Sequence, residues 1–342
     1  MRIGTRSAAL VVASCAFGGL FSVALAREPG AADTVPGGAS ANGIPGGIVP
    51  PGIAVINDFR YFTGKLQDNN GHDTGLTISV TSWTPQLFWN PNLKVLGASY
   101  GAGLVLPIAN TRIDNDNGFG KYQMGTSERG GTGNILVRPL HLSWALQPDL
   151  FVSTGFSFYV PTGSYNTPLY WQSIPGNKIG VNSGNNFYTF QPELAVSYFK
   201  PGPEGYNLSL QALYNTNTEN KSTGYKSGDQ ILLNYTATKA FGPVSAGLTG
   251  FYKKQVTADQ DNGHWFAPNG QQVPMAPPFV KFPIVDVTSM QQKFGIGPTV
   301  STRIGEALVD LSWMHDFNVR NDLKGDTYLL HVKFFGLGAD KK

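Results

Sequence analysis

Charge is scarce in this sequence. Asp, Glu, Lys and Arg supply 14 % of the residues, against about 25 % in an ordinary soluble domain. Cysteine is scarcer: Cys15 stands alone, which excludes a disulfide framework and a thiolate metal cluster. Beyond residue 26 no run of about 18 apolar residues occurs, so nothing there reads as a membrane helix. The formal net charge is only +3 and the basic residues do not cluster, which removes the face a nucleic-acid partner needs. There is no Gly-x-Ser-x-Gly elbow, no His-Glu-x-x-His pair and no phosphate loop.

What is abundant is glycine, proline and aromatic side chain: 42 Gly, 23 Pro, 21 Phe, 14 Tyr and 6 Trp. Gly and Pro at that density oppose a helical protein, and the aromatics oppose disorder. A turn-rich, all-β chain remains. Its surface tolerates so little charge if that surface faces lipid.

The N-terminus has the layout of an export leader. Arg2 and Arg6 precede an apolar stretch from Ala8 to Val23 and the small-residue site Ala24-Leu25-Ala26, so cleavage is expected after Ala26. Val12-Ala13-Ser14-Cys15 loosely resembles a lipoprotein site, but the apolar run continues past it through Phe17, Leu20 and Phe21. Residues 1–26 are therefore read as a signal peptide. Residues 27–51 form a Gly/Pro-rich segment, either a periplasmic lead or a plug in a lumen, since Ile44, Ile48 and Val49 are wasted in water. Residues 52–336 carry the fold, and 337–342 form a tail.

From there the sequence alternates with period two. Tyr206, Leu208, Leu210, Ala212 and Tyr214 interleave with Asn207, Ser209, Gln211, Leu213 and Asn215, with an aromatic at each end of the apolar face. Tyr328, Leu330, Val332 and Phe334 likewise interleave with Leu329, His331, Lys333 and Phe335. A soluble sandwich strand looks the same, so the connections must decide. Strands are expected at about 52–63, 74–89, 93–110, 132–147, 149–161, 187–200, 205–219, 228–241, 243–258, 286–303, 305–319 and 325–335. Short turns such as Asn90-Pro91-Asn92 and Gly242-Pro243 then alternate with longer links at 64–73, 111–131, 162–186, 220–227, 259–285 and 320–324. An even strand count, strict loop parity and strands of nine residues or more describe an antiparallel up-and-down transmembrane β-barrel of the outer-membrane type, with about 12 strands.

That parity sends Asp58, Arg60, Glu193, Lys253, Lys293, Arg303, Asp310, His331 and Lys333 into the lumen, because a charge facing lipid at mid-membrane costs about 2–4 kcal/mol. Pairs of Glu193 or Asp310 with Arg303 or Lys293 are expected to brace a narrow barrel, with direct contact to a solute as the other role. Gly97, Gly101, Gly103, Gly295 and Gly297 are read as turn residues or small positions on crowded inner faces. Two links look suited to hydrophobic capture: one carries Tyr165, Tyr170 and Trp171, the other Trp265, Phe266, Met275, Phe279 and Phe282. Asp114-Asn115-Asp116-Asn117-Gly118 begins like a calcium loop, but Lys121 and Gln123 stand where later ligands belong, leaving a polar loop with weak cation binding as the alternative. His141 and Ser143 share one strand face at i, i+2.

Several stretches also carry a resemblance. They are Pro50-Pro51-Gly52 before Asp58-Phe59-Arg60-Tyr61-Phe62, Leu96–Gly101 leading to Leu106-Pro107, Gly133-Asn134 through Pro139-Leu140, Val160–Tyr165, Tyr188–Pro192 and Gly295–Pro298. In this order the chain resembles the outer-membrane family named for the meta pathway of phenol degradation, with its SphA-like proteins. The resemblance implies a channel for passive uptake of small hydrophobic or aromatic compounds, with no catalytic residue, metal or cofactor. The alternative is a barrel with a sealed lumen that binds a ligand or serves structure. Expected partners are outer-membrane lipid and lipopolysaccharide, a hydrophobic or aromatic solute and the barrel-assembly machinery, and no nucleic acid. The expected location is a Gram-negative outer membrane. The tail departs from the family pattern, because Gly336 to Lys342 follow the last aromatics.

Overall fold

The computed structural model describes residues 44–115, 125–165, 182–222, 224–261, 265–266, 272–273 and 290–338. They build a closed, twelve-stranded antiparallel barrel. Its staves are β1 (Gly52–Gln67), β2 (Asp73–Asn90), β3 (Ala98–Val105 continued by Ile108–Asn115) and β4 (Gly125–Thr132 continued by Ile135–Gln147). After them come β5 (Leu150–Val160), β6 (Thr189–Lys200), β7 (Tyr206–Asn217) and β8 (Gln230–Phe241). The last four are β9 (Val244–Gln255), β10 (Gln292–Ile304), β11 (Ala307–Arg320) and β12 (Leu323–Leu337). Each stave pairs with the next, and β1 closes the ring on β12 from Ile53↔Leu337 to Leu66↔Leu323. Closure leaves no edge strand, so every wall amide has a neighbour to bond.

The alternation puts the two faces where solvation requires. On β6, Gln191, Glu193, Ala195 and Ser197 are buried inside, whereas Phe190, Leu194, Val196 and Tyr198 are exposed outside. The same division holds on β11, with Asp310, Ser312, Met314 and Asp316 inside and Leu311, Trp313 and Phe317 outside. Polar groups inward and apolar groups outward is a soluble strand reversed. It suits a wall whose outer solvent is hydrocarbon.

Two staves are broken, and proline explains one break directly. The ladder of β2 jumps from Trp83↔Ile108 to Gln86↔Val105, with Pro85 on one side and Leu106-Pro107 on the other. Neither proline has an amide hydrogen to offer. Leu106 N–H bonds back to the Pro85 carbonyl and Gly133 N–H to the Pro107 carbonyl, at 3.0 and 2.7 Å, so the gap is stitched across three staves. Both β3 and β4 run farther than expected, which narrows their link from 111–131 to 116–124, outside the described residues. The link expected at 320–324 is a two-residue turn, Asn321-Asp322, with Asn321 in the left-handed region at φ 50°. Gly97 belongs to a turn and not to an inner face: its φ is +78° and a Cβ there would meet nothing within 4 Å.

Candidate functional site

The lumen is the candidate site, and its end beside the short turns is crossed by the chain itself. Residues 44–50 precede β1 and lie against inward-facing polar groups of four staves. Ser153 Oγ donates to the Pro45 carbonyl at 2.8 Å, and the Gly46 amide donates to Ser197 Oγ at 3.0 Å. Ser143 Oγ donates to the Gly47 carbonyl at 3.1 Å, and Asn90 Nδ2 to the Val49 carbonyl at 2.6 Å. A segment without helix or strand must satisfy its backbone groups elsewhere, and here small hydroxyls on the wall do so. A Cβ on Gly46 would lie 2.8 Å from the Phe151 carbonyl oxygen, so only glycine lets the segment approach β5 this closely.

Above it, His141 links two of these elements. Its Nδ1 is 3.0 Å from Glu193 Oε1 and its Nε2 is 2.9 Å from Ser143 Oγ. Glu193 also takes Gln211 Nε2 at 3.3 Å and Arg138 Nη2 at 3.5 Å. Acid, imidazole and hydroxyl stand at hydrolase distances, but Ser143 is 1 % exposed and its proton points at Gly47. Ser143 Oγ thus lies between His141 Nε2 and the Gly47 carbonyl, and ties the ring to the segment. The arrangement anchors residues 44–50 to the wall. Among the described residues, no three of His, Cys, Asp and Glu gather as a metal site.

On the opposite wall, Asp310, His331 and Asp58 are register partners across β11, β12 and β1. His331 Nδ1 pairs with Asp58 at 2.5 Å, Lys333 with Asp310 at 2.5 Å, and Gln86 donates to Asp58. Toward the other end, Lys293 pairs with Asp316 at 3.1 Å and Lys253 with Asp322 at 2.5 Å. These partners replace the expected pairs: Glu193 takes Arg138 and His141, Asp310 takes Lys333, and Lys293 takes Asp316. Arg303 keeps inward parity but is exposed one residue before the end of β10, so it belongs to the rim and not to the lumen. Arg138 was invisible to simple alternation, because a bulge between Val137 and Leu140 shifts its parity relative to His141. Asp316 could have been read from the parity of Asp310; Asp322 could not, since it sits in a turn.

Between the two charged levels lies an apolar layer. Leu213, Leu232, Phe251, Met314 and Leu329 form one buried cluster drawn from five staves. Gly295 supplies the space, since a Cβ there would run into the Phe251 ring. Phe62 from β1 continues the layer, with Arg60 Cζ 5.4 Å and Lys293 Nζ 5.1 Å from its ring centroid. A polar lumen thus carries an apolar collar at about half its depth. Asn, Gln and Ser side chains crowd the end beside the longer links: Asn217 Nδ2 donates to the Ser227 and Gly228 carbonyls, and Gln230 Nε2 to Gln291 Oε1.

Of the residues expected to capture solute, Tyr165 is half-buried and its hydroxyl accepts from Asn220 Nδ2 at 2.9 Å, which ties one link to another. Tyr170, Trp171, Met275, Phe279 and Phe282 lie outside the described residues, and Trp265 and Phe266 are described only as a backbone bridge to 272–273. The signal peptide, residues 339–342 and most of the calcium-like loop also lie outside them.

A family profile described as "Putative MetA-pathway of phenol degradation" matches residues 63–331. No curated protein matches. Among solved structures, a COG4313 outer membrane channel from Pseudomonas putida F1 superposes with a TM-score of 0.65 at 14 % identity, over 89 % of this chain and 100 % of that one. A FadL homologue from Pseudomonas aeruginosa gives 0.38 at 10 % identity, over 89 % and 99 %. The translocator domain of the autotransporter NalP from Neisseria meningitidis gives 0.44 at 9 %, over 84 % and 89 %.

Proposed function

From the premise that the chain belongs to the phenol-degradation MetA-pathway family, we propose that it is an outer-membrane channel for passive uptake of small hydrophobic or aromatic compounds. The observation that carries this reading is the apolar collar of Leu213, Leu232, Phe251, Met314 and Leu329 inside an otherwise polar lumen. A lumen serving only ions or sugars gains nothing from buried apolar side chains. These side chains are 0–5 % exposed, so an aromatic solute gains roughly 25 cal/mol per Å² from them only as their packing parts to admit it. No nucleotide or covalent step is involved. The leader ending at Ala26 takes the chain across the inner membrane, the barrel-assembly machinery inserts it, and lipopolysaccharide surrounds the end with the longer links. The P. putida structure that this chain resembles is itself an outer membrane channel.

The second reading, a ligand-binding barrel with a sealed lumen, is favoured by residues 44–50 crossing one end. Proteoliposomes separate the two. Benzyl alcohol or toluene flux through the full-length protein, above that of empty vesicles, supports the channel. If no aromatic solute crosses even after residues 44–50 are deleted, the sealed barrel stands.

A further inference from the structure

Free space inside this barrel lies to one side. At mid-depth the inward-facing residues of β5 to β12 are buried, as along Gln191–Ser197 of β6, Ser209–Asn215 of β7 and Asp310–Asp316 of β11. On β2, five successive inward positions are half-buried instead: Ile78, Val80, Ser82, Thr84 and Gln86. They occupy the middle of an 18-residue strand, so the surface they show belongs to the lumen and not to a mouth of the barrel. Val105 and Ala109, their inward neighbours on β3, are half-buried as well.

At both ends this row returns to buried residues. Beside the longer links, Leu66, Leu76 and Ile113 form a buried cluster, and Ile78 packs against it. At the other end the buried Phe88 ring meets His141 edge to face, with centroids 5.4 Å apart, and Asn90 Nδ2 holds the Val49 carbonyl at 2.6 Å. An aliphatic strip of Ile78, Val80, Val105 and Ala109, interrupted by the Ser82 and Thr84 hydroxyls, suits a small, largely apolar molecule carrying one hydroxyl. Of the arginines that border it, Arg60 lies in the field of Asp316 and Asp322, and Arg138 reaches Glu193 at 3.5 Å. Arg129 also faces inward, opposite Thr111, which makes a carboxylate the rival ligand.

We propose that this strip of β2 and β3 is a luminal binding chamber for a small apolar molecule with a hydroxyl, closed outward by the Leu66 cluster and inward by residues 44–50. This deepens the uptake reading by placing the solute at the β2 edge of the collar, where the packing parts, and rests on that reading for its physiological meaning.

The test is cysteine labelling. Cys15 is the one cysteine of the sequence and lies ahead of the expected cleavage site, so introduced cysteines report alone. Val80→Cys, Ser82→Cys and Thr84→Cys are compared with the buried controls Ser209→Cys and Thr236→Cys in detergent-solubilised full-length protein. Methyl methanethiosulfonate is the reagent, mass spectrometry follows its addition, and heat-modified mobility on gels shows that each variant is folded. The expected result is rapid labelling at the three chamber positions and slow labelling at the controls. Benzyl alcohol at about ten times its dissociation constant should slow the chamber reactions about tenfold, with toluene protecting less. Equal labelling at chamber and control positions, or no protection by benzyl alcohol, overturns the proposal. Stronger protection by sodium benzoate than by benzyl alcohol overturns the ligand class. Vesicle flux separates the chamber from the channel reading: protection without flux keeps the chamber in a sealed barrel, whereas flux without protection keeps the channel and removes the chamber.

Discussion

Asp68, in the link between β1 and β2, receives the amides of Asn70 and His72 at 2.8 Å each. Its burial alone would raise the carboxyl; those two amides and the His72 ring outweigh it and hold the group below its ordinary value. A carboxylate lowered in the folded state contributes stability that is complete above the unfolded value of about 4, and loses it as pH falls through the folded value. Amide exchange at Asn70 and His72 is therefore expected to be slow at pH 6 and to accelerate below about pH 4 relative to intrinsic rates. Exchange protection that persists unchanged at pH 2.5 removes this account. At the collar, Gly295→Val is expected to cost about 1–3 kcal/mol by overpacking against Phe251. Adding Phe251→Ala should recover part of that loss in a urea titration, since the two sites are in contact. Parity in the sequence says which way a residue such as Glu193 faces. It does not say that Glu193 takes Arg138 and His141, which lie 55 and 52 positions away on a bulged strand. Partner choice depends on stagger and bulges, which alternation does not encode.

Among elements, residues 44–50 are the most informative. Their hold on the wall consists of four hydrogen bonds, three of them to serines, each contributing about 0.5–1.5 kcal/mol. The triple variant Ser143→Ala, Ser153→Ala, Ser197→Ala should release the segment while keeping the barrel. In planar bilayers it should raise the mean single-channel conductance at least twofold, approaching that of a chain lacking 44–50. Equal conductance in all three proteins would show that the segment does not obstruct the lumen. The strands themselves are highly legible, because period-two alternation over stretches such as Tyr206–Asn215 is imposed by two different solvents. What the sequence leaves open is the break in β3: Pro107 marks it, but the rearranged pairing also needs Pro85 opposite. The turn at Asn321-Asp322 looks longer in sequence than it is because no glycine announces it.

For the whole molecule, the outer surface is set against hydrocarbon. Leu311 is 56 % exposed on the outer face of β11, between Asp310 and Ser312 on the inner one. Leu311→Arg should destabilise the barrel by about 2–4 kcal/mol when folded into lipid vesicles, and Ser312→Ala by far less. A similar loss from both would contradict a lipid-facing wall. The charge deficit of the sequence thus belongs to the outer faces of the strands, where Lys239 and Lys254 stand only near the ends of β8 and β9.

The seam between β1 and β12 joins Gly64 to Gly325 and Asp58 to His331, contacts that no local folding event can make. Residues 44–50 run directly into β1, one of the two strands that form the seam. Once the seam is shut, their route into the lumen is an open end and not the wall. Assembly therefore has an order built into it: either the segment is seated while the ring is still a curved sheet, or it must be threaded afterwards against a packed interior. A chain whose segment is removed faces no such ordering and should close its ring sooner.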